Sequence, residues 1–416
     1  MITLTETAAE EHLAATAFAP AAPGLLGLTV ELLLSHPGVP HPLVDSLRAR
    51  PRMRHGFLTA RSARVLVASG PPSPGIDSCA ERMAQDLSNA RALVAGHGLT
   101  VLDGAADPTP GAPERYATAG VRVVVEAGTA EPGPRSIARR WQVAQAIGPV
   151  LAAAFANSPL CRGRPTGWRS TRLALRHMAL TAPGAAGIEG SETVIRDIAN
   201  RPAIPTTRRP VTTARPGHTT VADPRAAWAS LVLDAPLTGR FASPGPEDPA
   251  VGSTGGAESG PGPSFRDWLR SGIAPAPTLA DLEHHLRTVR PPVSARGHLE
   301  IDVADAQPGD GWRVPLAVVA ALLDDPGAGE VALAATAPLD GMPGLWTRAA
   351  RSGLTDPALA DAARQCFLAA YAALARHGVG RPLRDAVAEH LERYVLHGRC
   401  PADDVLDRDG HYTVQP

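Results

Sequence analysis

The order in which apolar patterns occur along the chain constrains its fold most. Strand-like runs crowd the first 128 residues as "GLLGLTVELLL" (24–34), "ARVLVASGPP" (63–72), "LTVLDG" (99–104) and "GVRVVVEAG" (120–128). A further strand, "HLEIDVAD" (298–305), precedes a last third that reads as helix. Strands gathered early, helices late and little strand-helix-strand repetition predict an α+β fold rather than a doubly wound parallel sheet.

The helices announce themselves by spacing and caps. Residues 5–18 are helix-prone, and 77–98 form a helix with Asp77 or Ser78 at its start and Gly96 or Gly98 near its end. In "SIARRWQVAQAIGPVLAAAFANS" (136–158), Ile137, Trp141, Ala144 and Ile147 share one face, so this helix is buried along a stripe. "ASLVLDAPL" (229–237) reads as a short strand and 278–288 as a helix, while Asp356-Pro357 and Gly378 bracket a long C-terminal helix. Residues 182–224 and 242–264, rich in Pro, Gly, Thr and Ser, have little to bury and read as disordered inserts within a single domain spanning 1–416.

Composition removes several function classes. The chain has no lysine, so all 40 of its basic residues are arginine. Schiff-base chemistry, a P-loop lysine and the protein-kinase lysine are excluded, and any bound phosphate must be met by arginine, backbone amides or a metal. A formal net charge of -1 leaves no electrostatic footprint for nucleic acid. No apolar run is long enough for a bilayer and the acidic N-terminus is unlike a signal peptide, so a cytoplasmic protein without membrane association is expected. Cys79, Cys161, Cys366 and Cys400 are far apart, which predicts four reduced thiols rather than zinc or disulfides. The sequence specifies no oligomeric state.

Seven ordered blocks carry a family resemblance: "AFANSP", "GRPTGWRSTR", "PTLADLEHHLRT", "PPVSARGHLE", "DAQPGDGW", "VAALLDDP" and "GRCPADD". Together they resemble the glutamate-cysteine ligases of the plant-like class, and within it the actinobacterial branch whose product feeds ergothioneine synthesis. The resemblance implies a glutamine-synthetase-like antiparallel sheet with helices on one face. It implies an ATP- and Mg2+-dependent ligase that joins the γ-carboxylate of L-glutamate to L-cysteine through an acyl phosphate. Transferred residue by residue, it makes Glu31 and Glu300 the metal carboxylates, and Arg172 and Arg296 the binders of phosphate or substrate carboxylate. No residue is assigned a catalytic proton transfer.

Other positions of the family pattern have changed. The first strand resembles G-V-E-V-E but reads Gly27-Leu28-Thr29-Val30-Glu31, so one of two carboxylates remains. Arg61 and Val67 stand at two further Glu positions, Arg122 and Val124 at Gln and Asn positions, and Asp302 where an Arg is expected. Fewer anionic ligands and added cations weaken any Mg2+ site. Two alternatives follow: a degenerate relative that binds without catalysis, or a ligase for a different amine, with Asp302 facing a cationic substrate. Glu31, within its Leu-rich strand, is either a ligand or the partner of an arginine.

Overall fold

A computed structural model describes residues 4–35, 43, 53–106, 117–161, 163–181, 223–237, 263–272 and 274–412. Apart from 223–224 and 263–264, the two expected inserts lie outside these residues. The chain divides into two compact units, one of residues 1–17 with 175–291, the other of 18–174 with 292–416.

The smaller unit is helical where described. Glu6–Ala17, Pro224–Asp234, Phe265–Ser271 and Leu279–Thr288 are its full helices. The expected strand at 229–237 is therefore wrong: Asp223 caps a helix whose first residue is Pro224, and Trp228, Ala229, Val232 and Leu233 are buried at helical spacing. A short Leu-Val run has no period of its own, and the Asp-Pro start signal upstream decides it. Leu279–Thr288 matches expectation, opened by a capping box between Thr278 and Asp281. His285 is buried there, its Nε2 2.9 Å from the Val232 carbonyl oxygen and its ring stacked on Phe265.

The larger unit holds the sheet. Its strands are β1 (Leu25–Leu33), β2 (Phe57–Ala60), β3 (Val65–Ser69), β4 (Ser73–Pro74), β5 (Gly120–Val125), β6 (Leu160–Cys161), β7 (Arg164–Pro165), β8 (Val293–Ala295) and β9 (Leu299–Asp305). Seven of them form one sheet in the order β2-β3-β1-β5-β9-β8, with β4 added beside β1, and every pairing is antiparallel. β6 and β7 form a separate ribbon. The mixed fold with an antiparallel sheet and a helical C-terminal portion is as the sequence predicts. Two edge strands, β2 and β8, went unforeseen, because four and three residues are too few to establish an alternation. The expected strand at 99–104 reduces to an isolated bridge between Leu34 and Val101.

Alternation assigns the two faces. Leu26, Leu28 and Val30 of β1, Val121, Val123 and Val125 of β5, and Leu299, Ile301 and Val303 of β9 are all buried. Helices Gly75–Gly96, Arg313–Asp324 and Ile137–Ala154 contact β1, β5 and β9 respectively. The first of these starts at Gly75, with Pro74 as its N-cap, rather than at Asp77. Gly27, Thr29, Arg122, Val124 and Glu300 point to the opposite, partly open face.

Behind the sheet lie six helices from Arg313 to Tyr412. The longest, Pro357–Arg376, opens as expected, with Asp356 accepting from the N–H groups of Ala358 and Leu359, and Gly378 just past its end has φ +67°. Its buried stripe of Leu359, Ala363, Phe367, Ala370 and Leu374 recurs every three or four residues. Phe367 stacks on His390 with centroids 5.5 Å apart and also meets Phe155. All four cysteines are buried and none joins a disulfide. No helix among the described residues is long and apolar enough to cross a membrane.

Candidate active site

Strand register builds the polar face row by row. Val67 of β3 lies directly across from Glu31, and Thr59 of β2 across from Val67. Continuing β1 and β5 in register sets Glu31 beside Gly120, whose N–H donates to Glu31 Oε2 at 2.9 Å, and Gly120 is in turn opposite Asp305. A second row runs from Phe57 through Ser69 and Thr29 to Arg122. The third joins Gly27, Val124, Glu300 and Ser294. Directly paired residues project to the same side, so these rows collect Glu31, Arg122, Glu300 and Asp305 on one face.

A register shift is needed to complete it. Val123 pairs with Ile301, whereas Val121 pairs with Ala304, so β9 carries one extra residue opposite Arg122. The bulge resets the alternation, which brings Asp305 onto the polar face beside Asp302.

The charges found there are paired with one another. Arg61, just after β2, reaches over Val67 and donates from Nη1 to Glu31 Oε1 at 2.5 Å, while its Nη2 donates to the Thr118 carbonyl oxygen. Arg122 donates from Nε and Nη2 to Asp302 Oδ2 at 3.1 and 3.0 Å. Arg172 donates to Asp302 Oδ1 and holds its Nη1 3.8 Å from Asp305 Oδ1. Its side chain is only 2% exposed. Burial works against the charge on Arg172, but Asp302, Glu31 and Asp305 outweigh it and hold its pKa above the usual arginine value.

Asp305 was not singled out by sequence reasoning, although it opens the block "DAQPGDGW". It is fully buried and accepts from the Asn157 N–H at 2.9 Å, Ser158 Oγ at 2.7 Å and Ser170 Oγ at 2.9 Å. Burial raises its pKa, and Arg172 with these three donors counters the rise. Asp305 thereby pins both ends of the segment 157–170 to the sheet and places Arg172, which follows. Asn157 also donates from Nδ2 to the carbonyls of Asp103 and Ala306.

Gly120 serves the same arrangement. A methyl group at its Cα would overlap the Arg172 guanidinium. Gly120→Ala should therefore displace Arg172 and cost about 1–3 kcal/mol of stability through overpacking, read as a lowered urea midpoint at unchanged slope.

Glu300 forms a second cluster. Ser294 Oγ donates to it at 3.3 Å, and Arg296 Nε and His298 Nε2 each lie 3.5 Å away. Burial alone would raise the Glu300 carboxyl, but His298, Arg122 and Arg296 hold it below the usual range.

The structure does not bring Glu31 and Glu300 together. They lie on strands separated by β5 and on rows four residues apart, roughly 15 Å from strand spacings, so they cannot share an ion. Among the described residues no three His, Cys, Asp or Glu side chains are grouped to hold a metal. With Glu31 bound by Arg61, and Arg296 and His298 set against Glu300, the expected Mg2+ does not fit these carboxylates. Asp302, suggested as facing a cationic substrate, is paired with the guanidinium groups of Arg122 and Arg172.

Sequence blocks of this kind, in a chain with an antiparallel sheet, belong to a known class of amide-forming enzymes. The chain is a member of the glutamate-cysteine ligase family 2 (GCS2), whose pattern matches residues 40–415. It is similar to the glutamate–cysteine ligase EgtA of Mycobacterium tuberculosis (strain H37Rv), with 30% identity over 369 residues that cover 82% of this chain and 74% of that protein. It is also similar to EgtA of Mycolicibacterium smegmatis, with 33% identity over 305 residues that cover 72% of this chain and 59% of that protein. The resemblance read from the sequence blocks is thus correct at the level of the family.

Proposed function

We propose that this chain ligates L-glutamate to L-cysteine with ATP, supplying γ-glutamylcysteine for ergothioneine synthesis. The observation that carries this reading is the family match over residues 40–415, with relatives named glutamate–cysteine ligase. In the reaction the glutamate γ-carboxylate attacks the γ-phosphorus of ATP and ADP leaves. The cysteine amine then attacks the acyl phosphate, an amide forms, and phosphate and the amine proton depart.

Negative charge accumulates on phosphoryl oxygens along this path, and without lysine the chain meets it with guanidinium groups. Arg122 and Arg296, with side chains 20% and 18% exposed, are the groups on the partly open face that contact phosphate or a substrate carboxylate. Arg172, buried beneath them, positions Asp302 and through it Arg122. No step is assigned to Mg2+ held by Glu31 or Glu300.

The pairing of Arg61 with Glu31 and of Arg122 with Asp302 favours a second reading, in which the chain keeps the fold and binds without turnover. Incubation of the full chain with ATP, Mg2+, glutamate and cysteine, with mass detection of the dipeptide, separates the two. The ligase reading expects γ-glutamylcysteine that requires both amino acids and is lost in Arg296→Ala. Absence of both ATP consumption and dipeptide would overturn it in favour of the second.

A further inference from the structure

The carboxylate of Glu31 is occupied at both oxygens, and its partners cross two strands. Oε1 accepts from Arg61 and Oε2 from the Gly120 N–H, while the same Arg61 guanidinium is tied to the Thr118 carbonyl oxygen. We propose that the Arg61 guanidinium is a built-in cation standing where a divalent metal would otherwise be held. On this proposal Glu31 closes the sheet face instead of binding Mg2+, whether or not the chain turns over ATP.

Three lines of chemistry converge on it. Arg61 does at Glu31 what a bound cation does: it neutralises a carboxylate that is only 6% exposed and joins it to a backbone oxygen on the neighbouring segment. Charge balance at the centre of the face leaves nothing for a dication, since Glu31, Asp302 and Asp305 are matched by Arg61, Arg122 and Arg172. A Mg2+ ion needs near-octahedral oxygen ligands at about 2.1 Å, and approaching Glu31 it would have to displace Arg61 and then face Arg122 and Arg172 as well.

The register also shows what a metal site here would require. Val67 lies directly across from Glu31 on the same face, and Arg61 reaches that carboxylate from the end of β2. Carboxylates at both positions would surround Glu31 with oxygen ligands from three strands. The Arg61 side chain is 46% exposed, so its replacement opens the carboxylate to solvent without emptying the core.

The test uses Mn2+ as the probe, with electron paramagnetic resonance of the free ion and the full-length, nucleotide-free protein. Wild type should show no binding that Glu31→Gln removes. The double variant Arg61→Glu/Val67→Glu should take up Mn2+ roughly tenfold more tightly or better, as added ligand charge demands, and adding Glu31→Gln should abolish the gain. Arg61→Ala supplies an independent reading should the double variant fail to fold. Its melting temperature should fall and partly recover in millimolar Mg2+, whereas wild type should not respond. A wild-type Mn2+ site lost on Glu31→Gln would overturn the proposal. So would the absence of Mg2+ rescue in Arg61→Ala, or the absence of any Mn2+ gain in a double variant shown by circular dichroism to be folded.

Discussion

Replacing Asp302 with Ala should destabilise the larger unit by about 3–5 kcal/mol, enough to consume much of the stability of an ordinary domain. Asp302 accepts hydrogen bonds from both Arg122 and Arg172. Without it Arg172 keeps the field of Glu31 and Asp305 at 3.8 Å, but no hydrogen-bonded carboxylate, and remains buried. Arg122→Ala should cost less, because its side chain is 20% exposed and the charge left behind on Asp302 keeps Arg172 as a partner. The diagnostic comparison is a third variant in which Asp302 and Arg172 are replaced together by Leu and Met. The double replacement removes the buried guanidinium that Asp302→Ala strands and leaves Asp305 on its three hydrogen-bond donors, so it should be more stable than Asp302→Ala in urea denaturation. If Asp302→Ala unfolds at the wild-type midpoint, the network carries no stability.

The second large effect is a response to acid. His390 lies against Phe367, Phe155 and Tyr394, and burial presses its pKa down from 6.5 to about 4, only partly opposed by the Ala154 carbonyl oxygen at 3.3 Å. Between those two values the unfolded chain binds a proton that the folded chain refuses. Stability from this group is therefore complete above pH 6.5, falls as pH drops through the window and levels off near 4. The integrated loss is roughly 3 kcal/mol. His285 is depressed in the same direction by burial, so total acid sensitivity contains both groups. Urea midpoints of wild type and His390→Gln, taken at intervals from pH 7 to pH 4.5, isolate the His390 share as the difference in slope. Parallel curves would show that the ring titrates in the fold as it does in the unfolded chain.

Sequence reasoning reached the central strands and the long helices because their patterns are extended and self-consistent. β1, β5 and β9 combine apolar runs with alternation, and Asp356-Pro357 with Gly378 marks both ends of one helix. It failed where the signal was short. β2 and β8 supply four and three residues, and the run at 229–237 suits strand and helix equally until its cap is considered.

At the candidate site, the family motif points to Glu31, Arg172, Arg296 and Glu300, and Arg61, Arg122 and Asp302 are departures from it. An arginine partner for Glu31 is one of the two readings its burial allows, but nothing local marks Arg61 as that partner or sets Arg122 against Asp302. Arg122 and Asp302 are 180 residues apart, and their meeting depends on a bulge that leaves no mark in the composition of β9. Asp305 was hidden for the same reason, since strict alternation would place it on the other face from Asp302.

The matched charges on this face also restrict how such a chain can diverge. An arginine introduced at position 61 before a neighbouring acid was lost would have competed with any bound ion, and an acid lost first would have left its remaining ligands repelling one another. Either step alone is costly, so changes at these positions should be tolerated mainly in compensating pairs. Sequences related to this chain should then show Arg61 together with a non-acidic residue at 67, and Arg122 together with Asp302, as joint substitutions rather than independent ones.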